Sequence, residues 1–313
     1  MPPPSAWWSS CSACWPPWFR FVSTGRHAMS IETLNRTARP PRVRIARLFG
    51  YLLLIVISAA SAYPLLWMLI TSVRPRNTVF GGGFLPDEFT FDAYRQAWTD
   101  LNFPRHFMIT LVITVITVLG VVALATLAGY AFAHLEFRGK QFIYVTLLST
   151  IMLPVTAIVI PLFLELDALG LLGGQTGLVL VYIGTSVPFA MFLMRVFFET
   201  LPHELVQAAR VDGAGEFAIF ARVMLPLAAP GAATVVIFQF MNTWNEFLFA
   251  QTFLRTPEQL PLQPVLYAAV GQHSTDWPLL CASLTMSILP IIMVYMRMQR
   301  RFVAGMTLGA VKS

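Results

Sequence analysis

Six stretches of this sequence stay apolar for 20 or more residues with few charges, and nothing else in it restricts the fold so strongly. About 20 helical residues are needed to cross roughly 30 Å of hydrocarbon, so each stretch is long enough to span a membrane. They lie at about 48–73, 106–133, 141–164, 176–198, 227–254 and 277–296. Six spans predict an all-α, polytopic membrane bundle. The remaining composition agrees, because 57% hydrophobic and 12% charged residues leave too little polar surface to cover a water-soluble domain of 313 residues.

The net charge of +6 does not point to nucleic acid, since the basic residues form no long stripe with interleaved aromatics. They cluster at the ends of apolar blocks, where Lys and Arg act as topology signals. An even number of spans puts both termini on one side. With the N-terminus inside, the inner segments carry 14 basic residues from residue 29 onward and the outer ones five, which predicts cytoplasmic N- and C-termini. The domains are then a cytoplasmic segment at 1–47, a six-span unit at 48–296 and a cytoplasmic tail at 297–313. Residues 1–28 match neither a signal peptide nor a span, and Met29 reads as the true start with an upstream extension before it. Cys11 and Cys14 form a C-x-x-C without a second Cys/His pair at zinc spacing, and Cys281 sits in an apolar run. Neither pattern supports metal or redox chemistry.

Two connections are longer than a compact bundle requires. The outer loop at about 74–105 carries Gly81 to Gly83 with Asp87, Glu88, Asp92 and Asp100, and is long enough to meet something outside the membrane. The inner loop at 199–226 has helical spacing and reads as two short helices. Pro202 suits a helix start, Glu204 favours its positive end, and Ala208 with Ala209 offers a smooth surface for a close partner. Gly213 and Gly215 end or turn that helix. Taken alone, the loop also fits an ordinary amphipathic connector whose glycines do no more than stop a helix.

In this loop Gln207-Ala208-Ala209 is followed by three residues, Gly213, nine residues and Val223-x-Leu225-Pro226. The spacing resembles the EAA motif of permeases from binding-protein-dependent ABC importers. LAGYAFAHLEFRGK at 127–140, MLP at 152–154, FMNTWNEFLFA at 240–250 and the ending QRRFVAGMTLGAVKS are similar to the carbohydrate-uptake branch, specifically the second permease of maltose-type systems. The resemblance extends over residues 45–313. It implies a six-transmembrane-helix ABC importer permease bundle with a cytoplasmic coupling helix between helices 4 and 5. It also implies that Glu204, Gln207, Ala208, Ala209, Asp212, Gly213, Leu225 and Pro226 belong to the element that docks on the ATPase. Implied partners are two ATP-binding cassette subunits, a second permease and an extracytoplasmic solute-binding protein, with a sugar-like substrate and a bacterial inner membrane as the setting. The chain departs from the family pattern at Gln207, where Glu is usual, and at Val223, where Ile is usual. Gln207 keeps the length and a hydrogen-bonding end but loses a charge that would serve docking.

The chain has no nucleotide-binding P-loop of its own. Its only Gly-Lys pair, Gly139-Lys140, is followed by Gln141 and lacks the earlier glycine. The five histidines are scattered, no catalytic constellation is visible, and no cofactor is called for. Polar residues in hydrocarbon face a cavity, the bundle interior or a partner. In the fifth span Gln239, Asn242 and Glu246 share one face at 100° per residue, with Asn245 beside it, and Trp244 lies off the stripe as a flat apolar ring for a sugar face. This stripe fits a solute route whose amides bond hydroxyl groups, and equally fits polar glue between helices. Pro154, Pro161 and Pro188 mark candidate kinks. The competing function is a stand-alone secondary transporter or channel, for which Glu165 and Glu246 are the few candidate ion-coupling residues.

Overall fold

The computed structural model describes residues 41–80, 83, 85–268, 270 and 275–310. The readings of Met29 as the start and of the Cys11/Cys14 pair lie outside the described residues. Helix α1 covers Pro41–Thr71, a short α2 covers Asp92–Thr99, and α3 runs from Phe103 to His134. Then come α4 (Lys140–Ser149), α5 (Val155–Ala168), α6 (Gln175–Thr200), α7 (His203–Val211) and α8 (Glu216–Ile219). A wide π-turn at Phe220–Met224 leads into α9 (Leu225–Leu227), α10 (Ala229–Trp244), α11 (Leu248–Phe253), α12 (Leu262–Ala268) and α13 (Trp277–Ala310).

Four helices are individually long and apolar enough to cross a membrane, within α1, α3, α6 and α13. The count reaches six if two bent pairs each make one span. One pair joins Lys140–Met152 to Val155–Ala168 at 107°, and the other joins Glu216–Leu227 to Ala229–Trp244 at 73°. The first bend falls at Pro154, which lacks the N–H needed to continue the helix. Pro161 and Pro188 lie inside continuous helices.

By contacts the chain divides into Met1–Ser58 and Ala59–Ser313. In the first unit the side chains of Leu48, Phe49 and Tyr51 through Ile57 are apolar and exposed, a surface suited to lipid or another apolar partner. In the second unit α3 and α6 form the principal helix pair, with α10 packed on α3 and on α13. The buried positions of α3 recur every three or four residues, including Thr110, Ile113, Thr114, Thr117, Val121 and Ala125. Its exposed face is apolar too, with Val112, Val115, Ile116 and Leu119, as expected of a helix that meets lipid on one side and protein on the other.

Lipid tails are as apolar as leucine, so helices in a bilayer associate by close packing of small residues. Gly129 is such a contact. A Cβ there would stand 2.7 Å from the Met194 Cβ and 2.9 Å from the Arg195 backbone nitrogen of α6. The backbone atom cannot yield as a flexible side-chain tip would. Gly129→Ala is therefore expected to wedge α3 from α6 at a cost of about 1–3 kcal/mol, the usual range for overpacking, read as a lower unfolding midpoint in detergent.

Candidate coupling loop and solute cavity

Helix α7 is two-faced. Val206 is buried against a core formed by Tyr130, Phe198, Ile219, Phe220 and Met224, while Glu204, Gln207 and Ala208 are exposed. Pro202 precedes the helix, Glu204 sits in its first turn and Arg210 in its last, placing charges that complement the helix dipole. The end of α7 is a Schellman turn. Ala214 N–H donates to the Ala209 carbonyl and Gly213 N–H to the Arg210 carbonyl, both at 3.0 Å. Gly213 carries φ +80°, a left-handed conformation that disfavours any residue with a Cβ. Asp212 and Gly213 are exposed at this turn, flanked by Val211 and Phe217, which are 87% and 76% exposed. Two large apolar side chains standing out beside a helix of small residues make a surface that a partner can cover.

Across the turn, Arg210 Nε donates to Glu216 Oε1 at 2.8 Å, and the Tyr130 hydroxyl of α3 donates to Glu216 Oε2 at 3.0 Å. The carboxylate raises the Arg210 pKa above its ordinary value, so the guanidinium stays charged. Leu225 and Pro226 follow in α9. Leu225 packs against the same core and Pro226 is exposed. Pro226 cannot donate to the Arg222 carbonyl, and its ring would crowd that oxygen in a regular helix, so the wide π-turn ahead of it relieves both. The histidines are less dispersed than their sequence positions imply, since the His134 and His203 rings lie 5.0 Å apart. Among the described residues no group of three or more His, Cys, Asp or Glu is arranged to hold a metal ion.

A cavity of about 830 Å³ opens between α6 and the α10–α11 segment. Gln239, Asn242, Asn245 and Glu246 all line it, joined by Thr243 and by Tyr182, Thr185, Ser186 and Phe189 of α6. The α6 residues follow helical spacing, a signal readable in the sequence and overlooked there. The stretch 227–254 is not one continuous helix: α10 stops at Trp244 and α11 starts at Leu248. Side chains satisfy the backbone groups freed by the break. Glu246 accepts from Phe249 N–H at 2.8 Å and Ala250 N–H at 3.1 Å, and also from the Tyr182 hydroxyl. Asn245 Nδ2 donates to the Met241 carbonyl at 2.8 Å, and Gln239 Nε2 to Thr243 Oγ1 at 2.8 Å. Asn242 is exposed to the cavity, and its amide has no hydrogen-bond partner among the described residues.

Trp244 does not fit the expected sugar platform. Its ring is fully buried, stacks on Phe240 at 5.3 Å between centroids, meets Phe107 edge-on at 5.5 Å, and donates Nε1–H to the Ser287 carbonyl of α13 at 3.1 Å. Two residues beyond Asn242 on a helix is a rotation of about 200°, nearly the opposite face, which here turns the ring from the cavity into the α3–α10–α13 packing.

Residues 122–308 match the family model for the binding-protein-dependent transport system inner membrane component. The chain belongs to this family. The match takes in the loop, the cavity-lining part of α6 and the whole of α10 and α11. This permease is 34% identical over 279 residues to the diacetylchitobiose uptake system permease protein NgcG of Streptomyces coelicolor, covering 88% of this chain and 92% of that one. It is 35% identical over 251 residues to the trehalose transport system permease protein SugB of Mycobacterium tuberculosis, covering 80% and 92% respectively. Among solved structures it resembles a bacterial ABC transporter involved in the import of the acidic polysaccharide alginate. That match has a TM-score of 0.75 and 28% identity, covering 84% of this chain and 98% of the other. The permease is thus a multi-pass membrane subunit of an ABC importer and not an enzyme.

Its tryptophan and its free amide should behave oppositely under truncation. Trp244→Ala removes a packed ring and is expected to cost about 3–5 kcal/mol of stability. Asn242→Ala should stay within about 0.5 kcal/mol, as for a side chain that touches nothing structural. Thermal or denaturant unfolding of the purified permease in detergent checks both.

Proposed function

We propose that this permease translocates a sugar or related polyhydroxylated solute, handed over by an external binding protein, while separate subunits hydrolyse ATP. The observation that carries the reading is the cavity itself. Hydrocarbon tolerates an irregular backbone only where protein or an aqueous space surrounds it, and here the break between α10 and α11 opens onto a space lined by amides, hydroxyls and aromatic rings. Amides that both donate and accept suit hydroxyl groups, and ring faces suit the apolar faces of sugars. The relatives named for diacetylchitobiose and trehalose uptake support the same solute class.

In this reading the loop of Glu204, Gln207, Ala208, Ala209, Asp212 and Gly213 lies on the cytoplasmic side and meets an ATP-binding cassette subunit. Leu225 and Pro226 serve it by anchoring the loop's second half. Two such subunits and a second permease complete the complex, because one bundle of this size does not enclose a sugar pathway. Cytoplasmic N- and C-termini follow from the distribution of basic residues. A transporter working alone by ion coupling fits less well. Glu246, its best candidate, has both carboxylate oxygens engaged in holding the break together, which favours a structural use of that charge.

Two experiments separate the parts of this reading. The intact permease should capture its ATPase subunit from co-expressing cells, and deletion of residues 204–216 should abolish that capture. Failure of the intact chain to capture it would sink the docking assignment. In vesicles bearing the whole importer, Asn242→Ala should slow uptake about tenfold, the worth of one well-placed hydrogen bond, while assembly is unchanged. Loss of assembly with Asn245→Ala, by contrast, would identify the stripe as glue between helices.

A further inference from the structure

Arg210, Glu216 and Tyr130 form one continuous polar chain that begins on the loop and ends inside the bundle. Its placement is unusual for a surface ion pair. Arg210 stands in the last turn of α7 and Glu216 in the first turn of α8, so their 2.8 Å contact bridges the turn containing Gly213 and Gly215. A turn of that composition is where the backbone bends most freely. Val206 ties α7 to the core by packing, and the ion pair adds a directional brace across the bend.

The inner end of the chain is fixed. The Tyr130 ring is buried and wedged between Phe198 of α6 at 5.8 Å and Phe220 of the π-turn at 5.3 Å, which leaves its hydroxyl no freedom to swing away from Glu216. Tyr130 directly follows Gly129, where α3 touches the backbone of α6. The hydroxyl is therefore attached to a crossing where α3 and α6 meet backbone to backbone.

We infer that Arg210, Glu216 and Tyr130 act as a strut that carries displacement of α7 across the glycine turn to the α3–α6 pair, making Tyr130 and Glu216 positioning residues for transport. The inference rests on the reading of α7 as the site that meets the ATPase. Arg210 and Glu216 are each close to half exposed, and such pairs contribute little to global stability. Their value lies in geometry. Removing the Tyr130 hydroxyl leaves Glu216 able to reach water, so no buried group is stranded.

The test uses the complete importer in lipid vesicles with its ATPase and binding protein, and compares Tyr130→Phe, Glu216→Ala, the two combined, and the swap Arg210→Glu with Glu216→Arg. In the swap the new guanidinium donates both to the new carboxylate and to the tyrosine oxygen, so the chain is rebuilt with reversed charge. Assembly, ATPase capture and unfolding midpoint should match the parent. ATP hydrolysed per solute imported should rise about tenfold in each single variant, the effect of losing at least one charge-assisted hydrogen bond of the chain. The combined variant should be no worse than either alone, because both break the same chain. The swap should recover at least half of the loss. An unchanged ratio of hydrolysis to uptake in an assembled complex overturns the strut while leaving the docking reading intact. Parallel loss of hydrolysis, uptake and assembly in all variants, the swap included, overturns it as a merely structural contact. Failure of the parent chain to capture an ATPase overturns the docking reading and the strut with it.

Discussion

Every backbone amide and carbonyl within a bilayer must find its partner inside the protein, because hydrocarbon offers none. That requirement accounts for the helices, and it accounts even more directly for the two places where helices stop. At Pro154 a donor is missing by chemistry, and the chain turns through 107° before α5 resumes. At Asn245–Phe247 no proline is present, and the break survives because Glu246 accepts two backbone N–H groups of the next helix and Asn245 caps a carbonyl of the previous one. The polar side chains that permit the break also line the space it creates. A carboxylate and an amide thus serve the backbone first, and whatever passes through the cavity second.

The same solvent also weakens the usual drive for helix packing, so contact area must come from close approach. Gly129 supplies it between α3 and α6, and the neighbouring core reaches outward through Phe198 and Tyr130 to Val206, Ile219, Phe220 and Met224 of the loop. The loop is consequently not a tether hung between two spans. One face of α7 is continuous with the bundle core, and only the opposite face, with its small and charged residues, is free for another protein.

How much of this could be read from the amino acids differs by feature, for physical reasons. Length and apolarity locate a span because bilayer thickness is fixed, and glycine spacing locates the end of α7 because only glycine takes φ +80° without strain. Facing is harder. On α3 both Val121 and Leu119 are apolar, yet one is buried and the other exposed, since lipid and protein ask for the same side chains. The stripe of Gln239, Asn242, Asn245 and Glu246 is legible as one face, but its effect on the backbone is not, because no proline or glycine at 245–247 marks the break. An apolar ring beside a polar stripe fits a sugar platform and a packing anchor alike, and the Trp244 ring turns to Phe107 and Phe240. The bond between Tyr130 and Glu216 joins residues 86 apart, and no local pattern announces a pairing of that kind.

The positions of loop and cavity along α10 give these details a common consequence. The helix has 16 residues, about 24 Å at 1.5 Å per residue, and it starts at the 73° bend closing the loop and ends at the break lining the cavity. Its buried face runs the whole length, from Gly231 against Phe197 of α6 and Val235 in the loop-side core to Trp244 against α3 and α13. A helix packed in this way moves as one stiff piece, so a displacement imposed at the loop end is carried to the other end. On the proposed reading, movement of the loop would therefore carry through to the residues just beyond Trp244. Asn245 and Glu246 are those residues, so the backbone break sits where a shift of α10 would change the cavity's lining.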